Sequence, residues 1–168
     1  TGLTEISEIV SKKIVDGKET PCRGKLYYRG YDIEQLVQGF LMDNRMGFEE
    51  IVYLLLFGAL PGRAQLDEFI QTLVAHRSLP DSFIRDIIMK APSSDMMNSL
   101  ARSVLTLYSY DSRPDDTSIP NVLRQCLQLI ATFPLLSVYS YHSYNYYIRN
   151  NRSFFIHDSD PVSYTHLR

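Results

Sequence analysis

The stretch Lys25–Leu36, KLYYRGYDIEQL, changes character in the middle. Lys25 to Gly30 has the aromatic content of a strand, whereas Ile33, Glu34, Gln35 and Leu36 open a helical pattern behind Asp32, a residue suited to an N-cap. Three tyrosines, Lys25 and Arg29 surround Gly30, so the elbow is either a binding site for phosphate or nucleic acid or a structural corner. A single-strand platform needs several cations among its aromatics, and here Asp32 and Glu34 follow at once. A phosphate loop needs a glycine-rich run or Gly-Lys-Ser/Thr, and neither occurs at Gly30. The elbow is therefore expected to be a corner, its tyrosines packing strand on helix and Arg29 pairing with a carboxylate or a helix end.

Upstream, IVDG (Ile14–Gly17) supplies a turn signal between two β-branched or aromatic arms. With Pro21 and Gly24 in the second arm, a loose hairpin is expected. Downstream the pattern stays helical. Asp32 caps a first helix stopped by Gly39, and Gly47 opens a second, apolar on most faces and so expected to be central, which Gly58 and Pro61 end. Leu66, Phe69, Ile70, Leu73 and Val74 form an amphipathic stripe. Pro80 is placed as the N1 proline of the next helix, closed by Pro92; Leu100, Val104, Leu107 and Tyr108 mark another. After the loop DSRPDDTSIP, Thr117 or Ser118 caps a helix that meets a tyrosine-rich helix at Pro134. The fold class is mainly α: an N-terminal β-hairpin followed by about seven helices, with no βαβ alternation.

The bulk numbers set limits on function. The 168 residues are one domain's worth, 45% hydrophobic and 21% charged, with a formal net charge of −2. That balance gives no general attraction to nucleic acid or anionic lipid. The apolar run Ile51–Leu60 is too short to span a membrane, and Gln125–Ile148 is expected to form two buried helices, so neither nucleic acid nor membrane is expected as a partner and the cytoplasm is the expected location. Cys22 and Cys126 lie far apart outside any CxxC, which suits two buried thiols.

No self-contained catalytic constellation emerges. Asp115 and Asp116 are adjacent carboxylates, but they precede a helix start, where negative charge is stabilising in its own right. His76, His142, His157 and His166 show no HExxH or i,i+4 pairing, and no serine sits in a GxSxG elbow. Tyr139, Tyr141, Tyr144, Tyr146 and Tyr147 are too dense for one stripe and are expected to divide between a buried face and an exposed rim. The expected catalytic, cofactor-binding and metal-binding residues are none.

The order of four blocks nonetheless resembles the citrate synthase family: IVDGKETPCRGKLYYRGYDIEQLV, GFEEIVYLLLFGALPGRAQLDEF, LVAHRSLPDSFIRDI and DDTSIPNVLRQCLQLIATFPLLSVYSY. The likeness extends over roughly residues 3–161 and implies the N-terminal part of the large helical domain of a two-domain homodimer. That family condenses acetyl-CoA with oxaloacetate and hydrolyses citryl-CoA, with 2-methylcitrate synthase as the alternative activity. Acetyl-CoA and oxaloacetate are thus the implied substrates of a full-length member, and no cofactor is implied. The family's chemistry uses an Asp base, two His residues and carboxylate-binding Arg residues, acid–base catalysis joined to stabilisation of a developing oxyanion. Nothing here matches those motifs, and His76 in AHRSLP matches a scaffold position. The pattern departs after Pro161, which implies a non-native tail over 162–168 behind a domain of 1–161. A non-catalytic helical interaction module is the competing class.

Overall fold

A computed structural model of the chain describes residues 4–150. The tail expected over 162–168, together with His157 and His166, lies outside the described residues. The chain divides into two compact units, residues 1–70 and 71–168.

The first unit begins with a β-ribbon. β1 (Ser7–Val15) and β2 (Lys18–Tyr28) are antiparallel, and β3 (Tyr31–Asp32) returns along the end of β2. The expected loose hairpin is instead tight. Asp16 and Gly17 alone form its turn, with φ of 50° and 74°, because positive φ at both central residues matches the twist of the flanking strands. Pro21 and Gly24 lie within β2, whose register against β1 shifts between Val10 and Lys12. Arg29 (φ 49°) and Gly30 (φ 84°) repeat the device between β2 and β3.

Asp32 then caps α1 (Ile33–Met42), accepting a hydrogen bond from the Glu34 N–H at 2.9 Å. The helix runs through Gly39 rather than stopping there. Its end is set by Asn44, which takes φ 47° while Arg45 N–H reaches back to the Phe40 carbonyl, since asparagine also tolerates the left-handed region that ends helices. α2 (Phe48–Phe57) starts after Gly47 with Glu49 and Glu50 in its first turn, and Gly58 ends it at φ 85°. Of α2 only Leu54 is fully buried, and Phe48 and Phe57 stay exposed, so the expectation of a central helix fails within this unit. Its packing is an aromatic cluster: Phe69 sets its edge against Tyr53 at 5.3 Å and Phe57 at 6.0 Å. Phe69 belongs to α3 (Arg63–Ala75), which runs across the boundary into the second unit.

In the second unit Pro80 does not open a helix. A turn with Ser82 at φ 62° follows it, and the chain then forms a π-helical turn, Ile84–Met89. α4 (Met96–Leu107) is capped by Asp95, which accepts from the Asn98 N–H at 3.1 Å, and it passes into a 3₁₀ turn, Tyr108–Tyr110. α5 (Ile119–Tyr147) is one continuous helix of 29 residues through Pro134, where two helices are expected from sequence. The missing N–H of Pro134 forgoes one bond, and burial of one face along the whole helix overrides that local cost. That face carries Leu127, Ala131, Thr132, Leu136, Ser140 and Ser143, and α4 turns Ser99, Ser103 and Leu107 inward. The apolar centre joins Phe83, Ile88, Leu107 and Leu136, with Leu79, Leu100, Val104 and Tyr139 around them. The described residues thus hold five α-helices and two short helical turns of other pitch. By length and composition α5 could cross a membrane; the core helix of a soluble protein passes the same test.

Candidate functional site

The elbow is a corner whose cations are committed to the protein. Arg29, held in the left-handed region by its turn, donates from Nη2 to the Leu55 carbonyl at 3.0 Å. Leu55 lies in the last turn of α2, where backbone carbonyls lack intrahelical donors and a positive charge is favourable. The Arg29 Nε is buried and has no hydrogen-bond partner among the described residues. Lys25 Nζ lies 3.5 Å from Asp32, and Tyr27 first, then Asp32, raise its pKa. Arg23 pairs with Glu34 at 2.8 Å. Tyr27 and Tyr28 are half-buried while Tyr31 is exposed, so two of the three tyrosines contribute to packing. An array of this kind presents no open basic platform.

A second constellation, in the second unit, has no counterpart in any sequence motif. Asp111 stands at the start of the loop between the 3₁₀ turn and α5. It accepts from Arg124 Nη2 at 2.6 and 2.8 Å, from Gln125 Nε2 at 3.0 Å and from the Arg113 N–H at 3.0 Å. Asn121, almost completely buried, donates to the Arg113 carbonyl at 2.9 Å and the Asp116 carbonyl at 2.7 Å and accepts from Arg124 Nε at 3.0 Å. The first turns of α5 therefore hold the whole loop by its backbone. Arg124 above all, then the Arg113 N–H and Gln125, hold the Asp111 carboxyl down to about 2. A carboxylate so firmly ionised is a poor general base near neutral pH. A 220 Å³ depression beside it is lined by Val104, Leu107, Tyr108, Pro114, Gln128 and Leu129 among others.

The adjacent carboxylates of this loop serve different partners. Asp115 accepts from the Tyr108 hydroxyl at 2.8 Å, and Asp116 accepts from the Ser118 N–H at 3.0 Å, closing the turn before α5. Ser118 occupies the expected N-cap position but makes no side-chain cap bond; Asp116 instead fixes the N–H of the cap residue itself. Among the described residues no three His, Cys, Asp or Glu side chains form a group able to hold a metal.

His76 Nδ1 bonds the Thr72 carbonyl at 2.8 Å at the end of α3. His142 is half-buried in α5, its ring 6.0 Å from that of Tyr141. Cys22 and Cys126 are free and half-buried rather than buried. Tyr141, Tyr146 and Tyr147 form the expected exposed rim, whereas Tyr139 and Tyr144 are half-buried rather than buried.

These side chains are tied to one another and to backbone groups, and comparison with known proteins gives the family. The family model described as citrate synthase, C-terminal domain, matches residues 1–165. The chain belongs to the citrate synthase family. A citrate synthase-related protein of Dictyostelium discoideum is 29% identical over 134 residues, 80% of this chain and 30% of that protein. The citrate synthase of Haloferax volcanii is 37% identical over 55% of this chain and 23% of its own length. 2-Methylcitrate synthase 1 of Corynebacterium glutamicum is 30% identical over 78% of this chain and 33% of its own. Among solved structures, the citrate synthase of Pyrobaculum aerophilum superposes with a TM-score of 0.65 at 24% identity, over 85% of this chain and 34% of that one. The citrate synthase of Thermoplasma acidophilum, solved as a ternary complex with carboxymethyl coenzyme A and oxaloacetate, gives 0.64 at 21% identity, over 84% and 33%. Both likenesses carry the fold alone. The chain spans about a third of the length of the Dictyostelium and Corynebacterium relatives.

Proposed function

We propose that these residues are the N-terminal part of the large helical domain of a citrate synthase, acting as scaffold for catalytic groups that further polypeptide supplies. The family match over residues 1–165, together with coverage of only about a third of the relatives' length, supports this reading. The described side chains agree with it: Asp111 is tied to Arg124, His76 to its own helix, and Arg29 to the end of α2. Condensing acetyl-CoA with oxaloacetate requires a base for the methyl proton and donors for the developing oxyanion, and none of these committed groups is placed to supply them. The ternary complex of the Thermoplasma relative supports an acyl-CoA and oxaloacetate as the substrates of the whole enzyme. A homodimer, usual for the family, is proposed for that whole enzyme as well.

The second reading is 2-methylcitrate synthesis, favoured by the Corynebacterium relative. The two acyl groups differ by one methylene, a discrimination worth only about 1–3 kcal/mol in a pocket.

The test is CoA release from acetyl-CoA or propionyl-CoA with oxaloacetate, by the 168-residue chain and by the longer product of its gene. The chain alone is expected to show none, because binding without acid–base and anion-stabilising groups does not lower the barrier. Turnover by the chain alone would refute the scaffold reading. A longer product inactive with both thioesters would refute the enzyme reading.

A further inference from the structure

β1 is the outer strand of the sheet, whose order is β1-β2-β3, and among the described residues it pairs with β2 alone. Over its nine residues the other edge has no ladder partner among the described residues, and Ile9 and Ile14 are 75% and 77% exposed. An open edge of this kind is a template for one more strand. β1 is also regular enough to serve: at the register shift the extra residues fall on β2, where Lys25 faces Val10 and Pro21 faces Lys12.

The side chains choose the occupant. When two copies of β1 run antiparallel about a two-fold axis normal to the sheet, only registers centred on a residue keep matching faces together. Centred on Glu8 or on Lys12, the pair sets like charges against each other. Centred on Ile9, it sets Glu8 against Val10; centred on Ser11, it sets Lys12 against Val10. Centred on Val10, it sets Glu8 against Lys12 twice, Ile9 against Ser11 twice, and Val10 against itself. Opposite charges and apolar pairs directly across strands are stabilising, and like charges there are not. Lys12 already contacts Glu19 at 3.0 Å in an exposed pair, which leaves its ammonium accessible to a second carboxylate.

We propose that β1 pairs with β1 of a second copy in the Val10-centred register, joining two ribbons into one sheet. The alternative is that Lys12 and Lys13 guard the edge against pairing, as lysines on edge strands commonly do.

The experiment uses the 168-residue chain with Cys22→Ser and Cys126→Ser. Val10→Cys should form a disulfide-linked dimer on mild oxidation, since directly opposed residues lie within about 4.5–5.5 Å. Val15→Cys, far from the two-fold axis, should not. In sedimentation, Lys12→Glu should weaken self-association about tenfold, and adding Glu8→Lys should restore it. A concentration-independent monomer, equal cross-linking at the two positions, or a charge swap without rescue would each overturn the pairing. A dimer built through another surface fails the Val10→Cys test, so the outcome is separate from any homodimer of the whole enzyme.

Discussion

Arg29 and Leu55, 26 residues apart, are joined by one hydrogen bond of 3.0 Å from guanidinium to carbonyl. It ties the turn that ends the ribbon to the last turn of α2. Replacing Arg29 with Ala leaves that carbonyl without its donor and should cost about 1–3 kcal/mol. Denaturant unfolding followed by circular dichroism measures it. Arg29→Lys should recover only part of the loss, because an ammonium lacks the planar fork. Equal stability of Arg29→Ala and the parent would remove the corner's role.

At the other end of that contact, Gly58 terminates α2 at φ 85°, and a Cβ there would meet no atom within 4 Å. The cost of Gly58→Ala is therefore conformational, about 1–2 kcal/mol. A lowered melting temperature with unchanged helix content is the expected result.

Asp111 gives the second unit an acid-sensitive link. Its folded pKa of about 2 lies below the ordinary 3.8, so the ionised carboxylate favours the folded chain. That contribution is complete above the ordinary value and is lost as pH falls from about 4 toward about 2. Thermal melts at pH 7, 4 and 2.5 should show the decline. Asp111→Asn should be less stable at pH 7 and lose part of the decline. A parallel pH profile in the variant would contradict the assignment.

Pro134 sits inside α5 without an N–H to donate. Pro134→Ala restores that bond and should stabilise the chain, by up to about 3 kcal/mol if the helix needs no other adjustment. A destabilised variant would mean that the proline ring itself fills space in the packing.

What could be foreseen from the residues was local. Asp32, Gly58 and the Asp16–Gly17 turn act through backbone geometry within a few positions, so their types announce their roles. Pro134 misled because its penalty is local, whereas the burial of Thr132, Leu136 and Ser140 that overrides it is tertiary. The Pro80 expectation failed similarly: N1 geometry is only a preference, and the chain places Ser82 in the left-handed region first. The Asp111 cluster was illegible for another reason. Asp111, Asn121, Arg124 and Gln125 converge through a loop that no fixed spacing describes, although Asn121, Arg124 and Gln125 do share the first two turns of α5. The Arg29 contact falls between these cases, its class of partner foreseeable and Leu55 itself not.

The two-residue turns at Asp16–Gly17 and Arg29–Gly30 also bear on the order of events during synthesis. A hairpin closed by so short a loop forms within about 1–10 μs, far faster than residues are added at about 5–20 per second. The ribbon can thus begin pairing as soon as its second strand is clear, well before the Asp111 loop and α5 exist to build the second unit. On a crowded messenger, neighbouring nascent chains would then present open β1 edges to one another while their helices are still unmade.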